Sequence, residues 1–117
     1  MIRPAILVVE DEPIILDLLG DILAREGYSI VPAGGVDCAV EAVRSMRFNA
    51  AVLDIHLGGG TVLPVVDELV ASGTPVIFAS AYFGELPQQY RHIPLLRKPI
   101  SLDGLLAWLA AAVRRRD

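Results

Sequence analysis

Ala50-Ala51-Val52-Leu53-Asp54 is an apolar run that stops abruptly at a carboxylate. Four uncharged small or branched residues in a row have the character of a strand buried on both faces of a parallel sheet. In open α/β sheets the carboxyl ends of the strands face the ligand crevice, so Asp54 falls where such sheets hold their chemistry. A second stretch repeats the pattern: Ile6-Leu7-Val8-Val9 runs into Glu10-Asp11-Glu12. Two apolar strands, each ending in acid, imply one pocket of converging carboxylates able to hold a divalent cation.

Outward from these two stretches, strand and helix patterns alternate with no linker and no repeat. Ala5 to Val9 reads as the first strand. Pro13 suits a first helical turn, and Ile14, Leu18 and Ile22, with Ile15, Leu19 and Leu23 beside them, form an apolar stripe at helical spacing. Gly27 is a stop for that helix. Tyr28 to Pro32 is the second strand. Gly34-Gly35 turns into a helix through about Met46, with Val36, Val40 and Val43 on one face. The third strand is Ala50 to Asp54, followed by a flexible loop at Leu57-Gly58-Gly59-Gly60-Thr61. Leu63, Val66, Leu69 and Val70 mark a third helix, with Pro64 in its first turn. Pro75 to Ala79 is a fourth strand, ending at Ser80. The segment from Gly84 to His92 reads as a short helix around Leu86 to Tyr90 or as loop. Ile93 to Leu96 is a fifth strand. Ser101 then caps a last helix whose stripe is Leu102, Leu105, Leu106, Leu109, Ala112 and Val113. Five βα units with right-handed crossovers predict an α/β fold: a doubly wound five-stranded parallel sheet, flavodoxin-like, in strand order 2-1-3-4-5. Its switch point lies between strands 1 and 3, where the two acidic ends meet.

The bulk properties narrow the function. With 117 residues, 54% of them hydrophobic and 21% charged, residues 1–117 are expected to form one packed domain. A net charge of −4 carries none of the basic footprint of a nucleic-acid binder. Arg114-Arg115-Arg116 reads as a solvated last helical turn suited to the helix dipole, with an anionic partner as the lesser alternative. Cys38, the only cysteine, excludes an internal disulfide and is expected as a small, buried or half-buried helix residue. No apolar run approaches the ~20 residues of a membrane span, and Met1 to Val9 is too short for a signal peptide. The expected location is the cytoplasm, with no membrane and no direct nucleic-acid partner.

Residues that cap the strands carry the chemistry. Strand 1 ends in Glu10-Asp11, strand 3 in Asp54, strand 4 in Ser80 and strand 5 in Lys98-Pro99. Carboxylates crowded together repel one another, and a Mg²⁺, with its preference for hard oxygen ligands, relieves the repulsion. Lys98 is the only lysine among ten basic residues. Such a set is ready for a dianionic phosphoryl group, whose transfer needs in-line positioning and charge neutralisation more than covalent assistance. The bland readings are a strand-end turn cap for Asp54, a helix-dipole acid run for Glu10-Asp11-Glu12, a turn hydroxyl for Ser80 and a surface lysine for Lys98. Each stands alone, but they do not explain why all four lie at strand ends.

The segments Val8-Val9-Glu10-Asp11-Glu12-Pro13, Val52-Leu53-Asp54, Phe78-Ala79-Ser80-Ala81 and Lys98-Pro99 occur in the order and spacing of the receiver domain of bacterial two-component response regulators. The chain resembles that family over essentially its whole length. The resemblance implies that Asp54 is the phosphoacceptor. It implies that Asp11 binds Mg²⁺ directly, Glu10 binds it through water, and the His56 backbone carbonyl joins Asp54 in completing the ligands. Ser80 would bond a phosphoryl oxygen and move toward it on activation. Lys98 would pair with the phosphate across a cis Lys98-Pro99 bond. His56 and Tyr82 occupy the places where receivers tune dephosphorylation. The implied donor is a sensor histidine kinase or a histidine phosphotransfer protein, with the specificity face on the first helix. The implied output is a downstream protein partner. Such a domain is no enzyme, apart from catalysing its own phosphorylation and dephosphorylation.

Three features depart from the common receiver pattern. A glycine run replaces the usual Met-Pro loop and reads as a mobile turn. Leu95 stands where an aromatic usually lies, three residues before the lysine. The fourth helix is short. Together with Phe78-Ala79-Ser80-Ala81-Tyr82 these features resemble the FAT GUY subgroup, which includes single-domain regulators. A shift of Ala81 to Tyr90 on phosphorylation is the expected switch. His56 and His92 read as surface loop residues. Trp108 reads as a core-edge residue, with a homodimer or kinase contact as the alternative. Two other functions compete: a degenerate receiver that binds a partner without phosphorylation, and a phosphatase of the haloacid dehalogenase type. The latter needs a second aspartate two places after the nucleophile, where this chain has His56.

Overall fold

The computed structural model describes residues 2–58, 60–81, 84 and 86–116, with side chains described through residue 114. The sheet strands are β1 (Ala5–Val9), β2 (Ser29–Ala33), β3 (Ala50–Leu53), β4 (Val76–Ser80) and β5 (Leu95–Arg97). The helices are α1 (Pro13–Arg25), α2 (Val36–Ser45), α3 (Leu63–Ala71) and α4 (Leu102–Arg116). All four strand pairings are parallel and the order is β2-β1-β3-β4-β5, the doubly wound, flavodoxin-like arrangement. Pro32 lacks an amide proton, and it sits on the edge strand β2, where the loss costs no ladder partner on the outer side.

Strand residues alternate between two cores because successive side chains point to opposite faces. Leu7, Val9, Ala51, Leu53 and Phe78 face one side, covered by α2 and α3 through Ala39, Val65, Val66 and Leu69. Ile6, Val8, Ala50, Val52, Ile77 and Ala79 face the other, covered by α1 and α4 through Leu19, Leu23, Leu105 and Leu109. Full burial on both faces is the reason β1 and β3 read as unbroken apolar runs.

The first helix buries only part of the stripe expected of it: Leu19 and Leu23 are buried and Ile15 and Ile22 half-buried. Ile14 and Leu18 are 83% and 59% exposed. Apolar residues occupy more of α1 than one face, and a sheet can cover only one. Leu16, Leu19 and Leu23, three to four residues apart, take that face. The helix does stop at Gly27, whose φ of 96° suits a residue without a Cβ. In α2, Cys38 is exposed, not buried or half-buried. At 100° per residue it points away from Val36, Val40 and Val43, which pack inward around buried Ala39.

The stretch expected as a flexible glycine loop contains a two-stranded antiparallel ribbon, His56–Leu57 against Gly60–Thr61. Leu57 and Val62 are buried in the α2/α3-side core, which anchors the ribbon at both ends. Gly60 has φ of 153° there, a region that favours glycine. Between β4 and β5 the described residues form no α-helix, only a 3₁₀ turn at Gln88–Tyr90. β5 begins at Leu95 and not at Ile93, because Pro94 cannot donate to the ladder; its carbonyl instead accepts from the Phe78 N–H at 2.9 Å. Ser101 caps α4 by accepting from the Gly104 N–H at 3.2 Å. Leu105, Leu109 and Ala112 bury the stripe of this helix, Trp108 packs half-buried at its edge, and Leu102 in the first turn is exposed. Among the described residues no helix is long and apolar enough to cross a membrane. Arg114 is exposed; the side chains of Arg115 and Arg116 lie outside the described residues.

Candidate functional site

Backbone ladders run past the strand ends and hold the site residues in register. The Glu10 N–H donates to Ala33 O at 3.1 Å, the Asp54 N–H to Val9 O at 2.9 Å, and the Lys98 N–H to Ser80 O at 3.1 Å. Parallel register therefore brings Glu10, Asp54, Ser80 and Lys98 to one edge of the sheet.

Asp54 is 8% exposed and both its oxygens are engaged. Ser80, 1% exposed, donates its hydroxyl to Oδ1 at 2.7 Å, and the His56 N–H donates to the same oxygen at 3.3 Å. Lys98 Nζ donates to Oδ2 at 2.8 Å and to Glu10 Oε1 at 2.5 Å. Glu10, 4% exposed, takes a further bond on Oε2 from the Glu12 N–H at 3.3 Å. Asp11 is exposed and faces the same place: one oxygen each from Glu10, Asp11 and Asp54 lie within 4.8 Å of one another. The Lys98-Pro99 peptide is cis, as expected.

Burial raises the pKa of Glu10 above the usual carboxylate value; the bonds from Lys98 and from the Glu12 N–H oppose the rise, and the charge of Asp54 adds to it. For Lys98 burial is the largest single influence and pulls its pKa down. The hydrogen bonds to Asp54 and Glu10 together outweigh it, so the ammonium is held above its ordinary range. Three carboxylates against one ammonium leave a formal charge of −2. A divalent cation cancels that charge, and an all-oxygen donor set suits a hard ion such as Mg²⁺. The residues present fit the ion.

Sequence reasoning placed Glu10, Asp11, Asp54, Ser80 and Lys98 at strand ends, and the structure brings all five together. Ser80, expected to bond a phosphoryl oxygen and move toward it on activation, here bonds the Asp54 carboxylate itself. His56 follows Asp54 and binds it through its N–H. Tyr82 lies outside the described residues. Two features escaped the sequence. A Cβ added at Gly58 would stand 3.4 Å from Asp11 Oδ2, so the chain at Gly58 runs close against one carboxylate of the acidic cluster. A cavity of about 430 Å³ also opens beside Glu10, Asp54 and Lys98, walled by Ile15, Leu19, Pro99 and Ile100. The first signal was present in the glycines themselves; the second needed α1 and the β5–α4 junction to be placed together.

Comparison with known proteins gives concordant results. The family model of the response regulator receiver domain matches residues 6–109. MtrA of Mycobacterium tuberculosis, a DNA-binding response regulator, is 30% identical over 120 residues, which cover 98% of this chain and 53% of MtrA. The chain spans a third to about half the length of the first curated relatives it matches. Among solved structures, SdrG from Sphingomonas melonis is 34% identical with a TM-score of 0.77, covering 95% of this chain and 96% of SdrG. The response regulator TrrA from Thermotoga maritima, solved in complex with Mg²⁺-BeF, is 28% identical with a TM-score of 0.79, covering 94% of this chain and 99% of TrrA.

Proposed function

Because the chain belongs to the family of response regulator receiver domains, we propose that Asp54 accepts a phosphoryl group from a histidine kinase or a histidine phosphotransfer protein, and that the resulting change of charge alters which protein this domain binds. Receiver domains are signalling modules and not general enzymes. The observation that carries the reading is the set of bonds on Asp54: a hydroxyl on one oxygen, an ammonium on the other, and two further acids beside it.

In this reading a carboxylate oxygen of Asp54 attacks the phosphorus of the donor. The O–P bond of an acyl phosphate forms, the donor's P–N bond breaks, and the imidazole leaves with the electron pair. Lys98 and Ser80 pass their donor hydrogens from the carboxylate to the phosphoryl oxygens, so charge is met by groups already in position. Asp11, Asp54, the His56 carbonyl and, through water, Glu10 would hold Mg²⁺. When bound, the ion supplies charge neutralisation and orientation for the incoming phosphoryl group. Attack of water on phosphorus later restores the carboxylate and ends the signal. The TrrA complex with Mg²⁺-BeF supports the ion, since that relative is 28% identical across nearly the whole chain.

The donor protein would dock on the exposed side of α1. Ile14 and Leu18 lie there, solvent-facing large apolar residues on the helix that begins beside Glu10 and Asp11. A downstream protein would read the altered surface, and the reading carries a cytoplasmic location with it, which cell fractionation checks. The central test is intact mass after incubation with acetyl phosphate and Mg²⁺. One added phosphoryl group is expected on the wild type and none on Asp54→Asn or in EDTA. An unlabelled wild type that still binds Mg²⁺ would overturn the reading.

A further inference from the structure

The cavity of about 430 Å³ beside the site lies on the α1/α4 face of the sheet. Its floor is Val8, Val52 and Ala79, all buried. Ile15 of α1 walls it on one side and Ile100 of the β5–α4 junction on the other. Ile15 is half-buried yet packs into neither half-core, so its side chain lines this space instead of filling it. The charged side chains that reach the cavity are Glu10, Asp54 and Lys98, and the bonds among them gather all three at one end. Apolar walls with a few polar groups at one end, in about 300–1,000 Å³, are the usual build of a small-molecule pocket. The polar end has one position to offer. Each carboxylate oxygen of Glu10 and Asp54 already accepts a hydrogen bond. The Lys98 ammonium carries three hydrogens, and among the described residues it spends two, on Glu10 and Asp54.

We propose that this cavity binds a small neutral molecule with an apolar body and one accepting oxygen, a ketone or ester about the size of cyclohexanone, whose oxygen takes the third hydrogen of Lys98 and whose presence slows phosphorylation of Asp54. The charges select the head group. An anion would meet the carboxylates of Glu10 and Asp54, and a second ammonium would meet Lys98, each in a partly buried place where like charges repel strongly. A neutral oxygen meets neither penalty and gains a hydrogen bond from a charged donor. The walls select the body, since Ile15, Ile100 and the sheet floor offer no polar partner to it. The effect on phosphorylation rests on the functional reading above; the binding does not. In that reading Lys98 passes its hydrogens from the carboxylate to the phosphoryl oxygens. A ligand oxygen on the ammonium holds Lys98 in the arrangement seen here. A ligand slows the step by no more than its preference for that arrangement, which is the worth of one hydrogen bond to a charged group, about tenfold.

Cyclohexanone, cyclohexylamine and cyclohexanecarboxylate share one body and differ in head: a neutral acceptor, a cation and an anion. Each is titrated into the full chain while isoleucine methyl signals are followed by NMR. Cyclohexanone should shift the Ile15 and Ile100 methyls saturably, at about 1–10 mM for a probe this small. The amine and the acid should bind at least about tenfold more weakly. At saturation cyclohexanone should slow labelling of Asp54 by acetyl phosphate and Mg²⁺ about tenfold. Ile15→Trp places a larger side chain in the space; it should abolish both the Ile100 shift and the slowing, judged against the same variant without probe. Absence of a saturable shift at the two methyls would overturn the site. Equal or tighter binding of the amine or the acid would overturn it too, by assigning the open position to a charged head. A bound probe with an unchanged labelling rate would overturn the control of phosphorylation. The head-group comparison uses the wild-type chain, so it carries the test even where Ile15→Trp is poorly folded. A wild type that takes no phosphoryl group overturns the functional reading, while the methyl titration, which needs no phosphorylation, still decides the binding.

Discussion

Glu10 is the residue where the site and the fold pull in opposite directions. Its folded pKa lies above the ordinary value of 4.5, mainly through burial. The folded state thus prefers the protonated form, and ionising Glu10 costs stability. The sign fixes the window: the cost is absent well below pH 4.5 and develops as pH rises through the folded pKa. Glu10→Gln should therefore make the metal-free protein more stable at pH 7 and no more stable at pH 4. Urea melts in EDTA at the two pH values read both. The same variant should bind Mg²⁺ more weakly. Lys98 has the opposite balance. Its raised pKa means it contributes stability fully below its ordinary 10.5, a contribution lost as pH climbs through the folded value. Lys98→Met leaves two largely buried carboxylates unbridged and should cost about 3 kcal/mol at pH 7 in EDTA, a loss that Mg²⁺ partly restores.

At the level of elements, the ribbon after β3 and the outer face of α1 have separable roles. The ribbon brings backbone to within van der Waals reach of Asp11, and Gly58 leaves just enough room for it. Gly58→Val adds methyl groups against Oδ2 and should weaken Mg²⁺ binding roughly tenfold, measured by calorimetry, since outer-shell partners orient metal ligands to about that degree. The α1 face should act on partners alone. Leu18→Asp changes an exposed residue, so urea melts and labelling by acetyl phosphate should stay at wild-type values. Phosphotransfer from the cognate kinase should fall by an order of magnitude or more, because a charge placed in an apolar contact must be desolvated.

For the whole molecule, two half-cores clamp one sheet, and the site hangs from its carboxyl edge. Metal binding should then report on global stability. A ligand bound only by the folded state stabilises it by about 2.7 kcal/mol at a hundredfold excess over its Kd. Added Mg²⁺ should raise the urea midpoint of the wild type by a corresponding amount and leave Asp11→Asn nearly unmoved. An equal rise in both would place the ion elsewhere.

Much of this was legible in the residues because the determining interactions are local or periodic. Doubly buried strands must be continuously apolar, so β1 and β3 declare themselves. Parallel strands all end on one edge, so acids, a serine and the single lysine at those ends must share a crevice. What required the tertiary structure was the allocation of surface. The sequence of α1 offers more apolar residues than a helix can bury, and only the sheet's position chooses Leu16, Leu19 and Leu23 over Ile14 and Leu18. The sequence of α2 does not say that Cys38 lies on the solvent side. A run of glycines specifies no conformation by itself; the burial of Leu57 and Val62 turns it into a ribbon against Asp11. Tyr90 and Asp67, 23 residues apart, become partners only when α3 and the β4–β5 connection pack on the same core. Side-chain pattern along the chain determined the fold and the chemistry of the site. Contacts between residues distant in sequence decided which faces remain open and which limbs are tied, because no local periodicity encodes which of two equally apolar faces meets a neighbour.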